Sequence, residues 1–166
     1  MMHESTSRLT PTDLFTPPGL RPSLPSQHKF SPCGRYISYL RGSEAAPTTL
    51  DLWCFDRQTK TEIPIALAVQ LDAQADESVT ELSDAERAER ERKRQFTFGI
   101  THYQWIGEAG SVALYADGQA YLKRQFDSES ITQITSSQNR YSGFNPSLSG
   151  TLISYVRDGN LFYQKL

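Results

Sequence analysis

The chain has 166 residues, 37% hydrophobic and 22% charged, with a formal net charge of −2, enough length for one domain with a substantial core. A slightly acidic balance argues against a nucleic-acid partner, because phosphate binding needs a basic surface excess. No apolar run approaches the roughly 20 residues of a membrane span, so neither nucleic acid nor a membrane is expected as a partner.

Taken in chain order, residues 1–27 read as an N-terminal arm. Its opening, "MMHESTSRLTPTDLF", lacks a basic start followed by an apolar stretch, so no secretory signal is read. The expected location is cytoplasmic, or periplasmic should the true start lie upstream. Residues 28–70 form a first unit. "FSPCGRYISYLR" gives an aromatic residue, a Ser-Pro-X-Gly turn and an alternating strand, and a second strand, "TLDLWCFD", follows a longer loop. Cys33 falls in the turn and Cys54 in the apolar run, and two cysteines are too few for a disulfide scaffold, so both read as free thiols. The apolar stretch "IPIALAVQL", Ile63 to Leu71, reads as a strand or buried edge. The three histidines, His3, His28 and His102, share no metal-ligand spacing with the cysteines. No metal and no cofactor are assigned, and His28 and His102 read as polar strand or loop residues.

Residues 78–96 carry the charge. In "TELSDAERAERERKRQ", Ser83 and Glu86 make a capping box. Asp84 and Glu86 suit the positive end of a helix dipole, and Lys93 and Arg94 the negative end. Glu86 with Arg90 and Glu89 with Lys93 are spaced for ion pairs one turn apart. Between Ala88 and Phe96 there is no hydrophobic residue, so the predicted helix has no core-facing side. It reads as a solvated insertion, or as a cationic end held over a cavity mouth and anchored by Phe96 and Phe98.

Two further units, 100–138 and 141–166, repeat each other. "YQWIGEAGSVALYADGQAYLKR" and "FNPSLSGTLISYVRDGNLFYQK" pair Tyr103 with Phe144, Asp117-Gly118 with Asp158-Gly159, and Tyr121 with Phe162, always at an offset of 41. Val112 and Leu114 alternate with Ala113 and Tyr115, and Ile153 and Tyr155 with Leu152 and Val156, the period of two that a strand imposes. Asp-Gly between such runs predicts a type I′ hairpin turn, since Gly loses nothing at positive φ. A period near 41 with several short strands per unit predicts propeller blades. The fold class expected is therefore all-β: a partial β-propeller of about three blades, with one inserted charged α-helix. A propeller ring closes with about four to eight blades, so the chain reads as the front end of a longer protein, with an unpaired last strand prone to association.

Arg90-Glu91-Arg92-Lys93-Arg94, followed shortly by Phe98-Gly99-Ile100-Thr101 and Tyr103, resembles the N-terminal propeller of the dipeptidyl peptidase IV family. It is most similar to the branch of dipeptidyl peptidases eight and nine and their bacterial relatives. "LTPTDLF", "FSPCGRYISYLR", "LDLWCFD", "YQW" and "RDGNLF" follow in the family's order and spacing, so the resemblance runs from about Leu9 to Leu166. It implies a serine exopeptidase whose eight-bladed propeller covers a C-terminal α/β-hydrolase domain. Such enzymes release N-terminal dipeptides with Pro or Ala second. It also implies peptide substrate and the chain's own hydrolase domain as partners, a possible homodimer of the parent, and Arg94 as a substrate-binding residue. A guanidinium suits that role, because its donors are fixed and its charge does not titrate away. The chain departs from the family in having no G-x-S-x-G nucleophile elbow and no Glu-Glu pair for the substrate's amino terminus, and Cys33 stands where the turn usually carries Asp. No catalytic residue is therefore assigned, and the chain alone is not expected to hydrolyse peptides. The alternatives are the propeller of an acylaminoacyl- or oligopeptidase-type hydrolase, and a non-enzymatic propeller scaffold for protein binding.

Overall fold

A computed structural model of the chain describes Thr10 and residues 24–43, 46–72, 97–107, 110–136 and 138–166. The predicted charged helix and Arg94 lie outside the described residues. Among the described residues, eleven strands and one short helix follow in order: β1 (Ser26–Phe30), β2 (Tyr36–Gly42), β3 (Thr49–Asp56), β4 (Thr61–Ala66), α1 (Ala68–Asp72), β5 (Phe98–Ile106), β6 (Ser111–Ala116), β7 (Gln119–Lys123), β8 (Thr132–Gln133), β9 (Ser142–Pro146), β10 (Leu152–Arg157) and β11 (Asn160–Lys165). Among the described residues the fold is all-β, and the sheets do not close on themselves.

The strands group into three antiparallel meanders, β1–β4, β5–β8 and β9–β11. A short parallel contact, Thr49 with Phe98 and Leu50 with Gly99, links the first two. Gly99 makes that approach possible. Its φ is +74°, and a Cβ there would lie 2.7 Å from the Leu50 carbonyl oxygen and 2.8 Å from the Ala68 Cβ.

The turns follow from local chemistry. Asp117-Gly118 and Asp158-Gly159 both have positive φ at their two residues, 46° and 74°, then 51° and 75°, as type I′ hairpins require. The two paired units therefore share a turn type as well as a spacing. The Ser-Pro-Cys-Gly turn recurs as Ser147-Leu148-Ser149-Gly150. In each, the glycine N–H bonds the serine carbonyl, Gly34 to Ser31 at 2.8 Å and Gly150 to Ser147 at 2.9 Å. In each, the serine hydroxyl accepts from the next strand, from Tyr36 N–H at 3.1 Å and from Leu152 N–H at 3.1 Å.

Two cores fill the gaps between meanders. Leu40, Leu52 and Cys54 meet Ile100, Tyr103, Val112, Leu114 and Tyr121 between the first and second. Ile106, Ala113, Tyr115, Ala120 and Leu122 meet Ile153 and Phe144 between the second and third. The second meander is thus covered on both faces, which is why all of β7 and nearly all of β6 are buried. The stretch Ile63–Leu71, expected as a strand or buried edge, is strand only as far as Ala66, where β4 ends, and α1 starts at Ala68. Two side chains stop the strand. Asp51 accepts the Ala68 N–H at 2.7 Å, and Gln70 accepts the Leu67 N–H at 2.9 Å, so side chains satisfy two backbone donors at the start of the short helix.

Candidate functional site

Chemistry-bearing residues gather where the leading strands of the meanders, β1, β5 and β9, lie near one another. β1 bulges at Gln27, whose φ is 53°, and this turns its amide toward β5. Gln27 Nε2 donates to the Thr101 carbonyl at 2.7 Å, and Oε1 lies 2.9 Å from His102 Nδ1. With the amide nitrogen committed as donor, Oε1 must accept. His102 Nδ1 therefore carries the proton, and Nε2 keeps a lone pair in the neutral ring. Partial burial and the nearby Lys29 charge push the His102 pKa down, favouring that neutral form.

Beside it, hydroxyls join the first two meanders. The Tyr103 hydroxyl lies 2.7 Å from the Gln27 carbonyl oxygen and 2.9 Å from Ser38 Oγ, and Ser38 Oγ lies 3.0 Å from the Lys29 carbonyl oxygen. Trp105 Nε1 donates to Ser38 Oγ at 2.8 Å. Two hydroxyl protons thus serve three oxygen–oxygen contacts, so one contact is unfilled in any arrangement. Lys29 Nζ donates to the Tyr103 carbonyl at 2.5 Å and lies 4.8 Å from the Tyr103 ring centre, and burial pushes its pKa down. Ser38 and Tyr103 are both fully buried, and no histidine bonds Ser38 among its contacts. Among the described residues, this cluster ties the first meander to the second.

Among the described residues, grooves open along both seams. One of 390 Å³, between the first and second meanders, is lined by Ile63–Leu67, Phe126 and Lys123. Lys123 is 4% exposed and donates to the Ile65 carbonyl. Burial lowers its pKa, while the charges of Asp127 and Glu129 oppose that shift. The second groove, of 320 Å³, lies between the second and third meanders and is lined by His102, Tyr115, Gln119, Tyr141, Gly143 and Phe144 among others. Gln119 is fully engaged there. Its Nε2 donates to the Asn139 carbonyl at 2.6 Å, and its Oε1 accepts from Thr135 Oγ1 at 2.6 Å.

Of the residues singled out from sequence, Arg94 lies outside the described residues. His28 is exposed, with its ring 6.3 Å from that of Tyr39. Cys33 and Cys54 are free thiols, one exposed and one buried, and burial pushes Cys54 up to about 11. Among the described residues, no group of three or more His, Cys, Asp or Glu side chains could hold a metal ion, and no helix is long and apolar enough to cross a membrane. Sequence reasoning missed the pairing of Gln27 with His102, which no local pattern announces. Lys123 was findable: the period of two puts it in phase with Tyr121, on a core-facing side. No family model matches the chain.

Proposed function

We propose that this chain is the N-terminal propeller region of a dipeptidyl peptidase IV-like serine exopeptidase, governing peptide access to a hydrolase domain and contributing Arg94 as a substrate contact. The observation that carries the reading is the 41-residue spacing. It recurs as successive antiparallel meanders, with the same type I′ turn at Asp117-Gly118 and Asp158-Gly159 and a shared core between them. Units of that size stacked face to face are what a propeller requires. The ordered motifs from Leu9 to "RDGNLF", with Arg-Glu-Arg-Lys-Arg before Phe98-Gly99, supply the link to this peptidase family.

The test is direct. Full-length protein is assayed with free-amine Gly-Pro and Ala-Pro chromogenic substrates and with their N-acetylated forms. Release from the free-amine substrates supports the reading. Cleavage of the blocked forms alone would assign the chain to an acylaminoacyl-type relative, and no cleavage of either would overturn the peptidase reading. Within an active enzyme, Arg94→Ala is expected to lower kcat/KM by roughly tenfold or more, the worth of one charge-assisted hydrogen bond, with the melting temperature unchanged. Unaltered kinetics would remove Arg94 from the site.

A further inference from the structure

The 390 Å³ groove between the first two meanders falls within the size range of small-molecule sites. One wall is the end of β4 with the turn into α1, and the other is the end of β7 with the loop that follows it. Lys123 reaches from the second wall to the first, where Nζ donates to the Ile65 carbonyl. Both residues line the groove, so the ammonium sits where the two walls meet. Lys123 is 4% exposed, and the Ile65 carbonyl is its one hydrogen-bond partner among the described residues. An ammonium carries three N–H donors, so two are left over. Among the described residues no carboxylate forms an ion pair with it. Asp127 and Glu129, both exposed, act on it only through space. A cation buried in this way is disfavoured until an anion pairs with it.

The rest of the lining narrows the choice of anion. Gln70 uses its Oε1 to accept the Leu67 N–H at 2.9 Å, which fixes the amide and leaves Nε2, a donor, uncommitted among the described residues. Ile63, Pro64, Ala66, Leu67 and Phe126 make the walls apolar, so a fully hydrated ion gains nothing there. The exposed carboxylates of Asp127 and Glu129 penalise a dianion such as phosphate twice over, yet solvent and salt screen them far better than they screen the buried ammonium. A single negative charge on an apolar body meets all of these conditions. We infer that this groove is a binding site for a small apolar monocarboxylate, its carboxylate paired with the Lys123 ammonium and its hydrocarbon part against the apolar walls. The site stands independently of the peptidase reading.

The probe is hexanoate, with hexanol as its uncharged counterpart and inorganic phosphate as an anion the groove should reject. Each is titrated into the full chain by calorimetry, while the Lys123 ε-carbon is followed by NMR. Saturable hexanoate binding that shifts the Lys123 resonance is expected, with hexanol weaker by about tenfold or more, the worth of one charge-assisted hydrogen bond. Lys123→Met keeps the length of the side chain and leaves no buried charge, so the fold should persist while hexanoate affinity falls about tenfold or more. Gln70→Glu keeps an oxygen for the Leu67 N–H and adds a negative charge to the lining, so it should weaken binding about tenfold. Asp127→Asn with Glu129→Gln should instead strengthen it about twofold, because two exposed like charges are gone. Wild-type affinity in Lys123→Met overturns the inference, as does hexanol or phosphate binding as tightly as hexanoate, or a Lys123 resonance unmoved by saturating hexanoate. Should Lys123→Met fail to fold, Gln70→Glu decides, and unchanged affinity in that variant overturns the site.

Discussion

Asp56 shows how much one residue can carry. It is 2% exposed at the end of β3. Arg35 Nε lies 3.1 Å from both its oxygens, Arg35 Nη2 lies 2.5 Å from Oδ2, and the Gln58 N–H donates to Oδ1 at 2.8 Å. The guanidinium holds the carboxyl well below the usual carboxylate range. A group depressed in this way contributes stability in full above its unfolded pKa of about 3.9, and loses it as pH falls toward the lower folded value. Asp56→Asn is therefore expected to lower the melting temperature at neutral pH and to flatten its decline below about pH 4, read by circular dichroism melts across the acid range. An acid limb as steep as wild type would show that the pair does not govern it. Contacts of this kind were the least legible part of the sequence. Gln27 and His102 are 75 residues apart, and only the packing of β1 on β5 makes one the partner of the other. Arg94, by contrast, belongs to a contiguous motif, Arg90-Glu91-Arg92-Lys93-Arg94.

At the scale of elements the sequence was far more readable, because turn chemistry is local. The Asp-Gly pairs fixed both hairpins, and the Ser-x-x-Gly turns fixed two strand starts, each through a backbone angle that few residues adopt. The break after β4 was not readable, since the Asp51 carboxylate that starts α1 comes from 17 residues away. Glycine substitutions separate intrinsic strain from crowding. Gly159 has φ +75° with nothing within 4 Å of a would-be Cβ, so Gly159→Ala should cost about 1–2 kcal/mol, the price of a left-handed non-glycine residue. Gly99→Ala adds collisions with the Leu50 carbonyl and Ala68; it should cost clearly more and disturb the seam between β3 and β5. Urea unfolding midpoints would rank the two. Equal costs would mean that the parallel contact yields freely.

For the whole molecule, the repeat picks out an exposed apolar surface on the third meander. Ala113, Tyr115, Ala120 and Leu122 form the second meander's buried face toward the third. Forty-one residues on stand Ser154, Val156, Leu161 and Tyr163, which share the third meander's opposite face. There Leu161 is 76% and Tyr163 77% exposed. The 166-residue chain alone is expected to self-associate through this face, and Leu161→Lys with Tyr163→Lys should return it to monomer in sedimentation velocity. A wild-type chain that stays monomeric at high concentration would contradict this. The link between the first two meanders has a practical corollary. The Phe98 N–H bonds the Thr48 carbonyl at 2.8 Å, and α1 packs on β3 and β5, so both attachment points of residues 73–96 belong to a single braced scaffold. Any change of length between Asp72 and Thr97 must therefore leave the Thr48–Phe98 bond and the packing of α1 on β3 and β5 intact, or the first two meanders come apart at their seam.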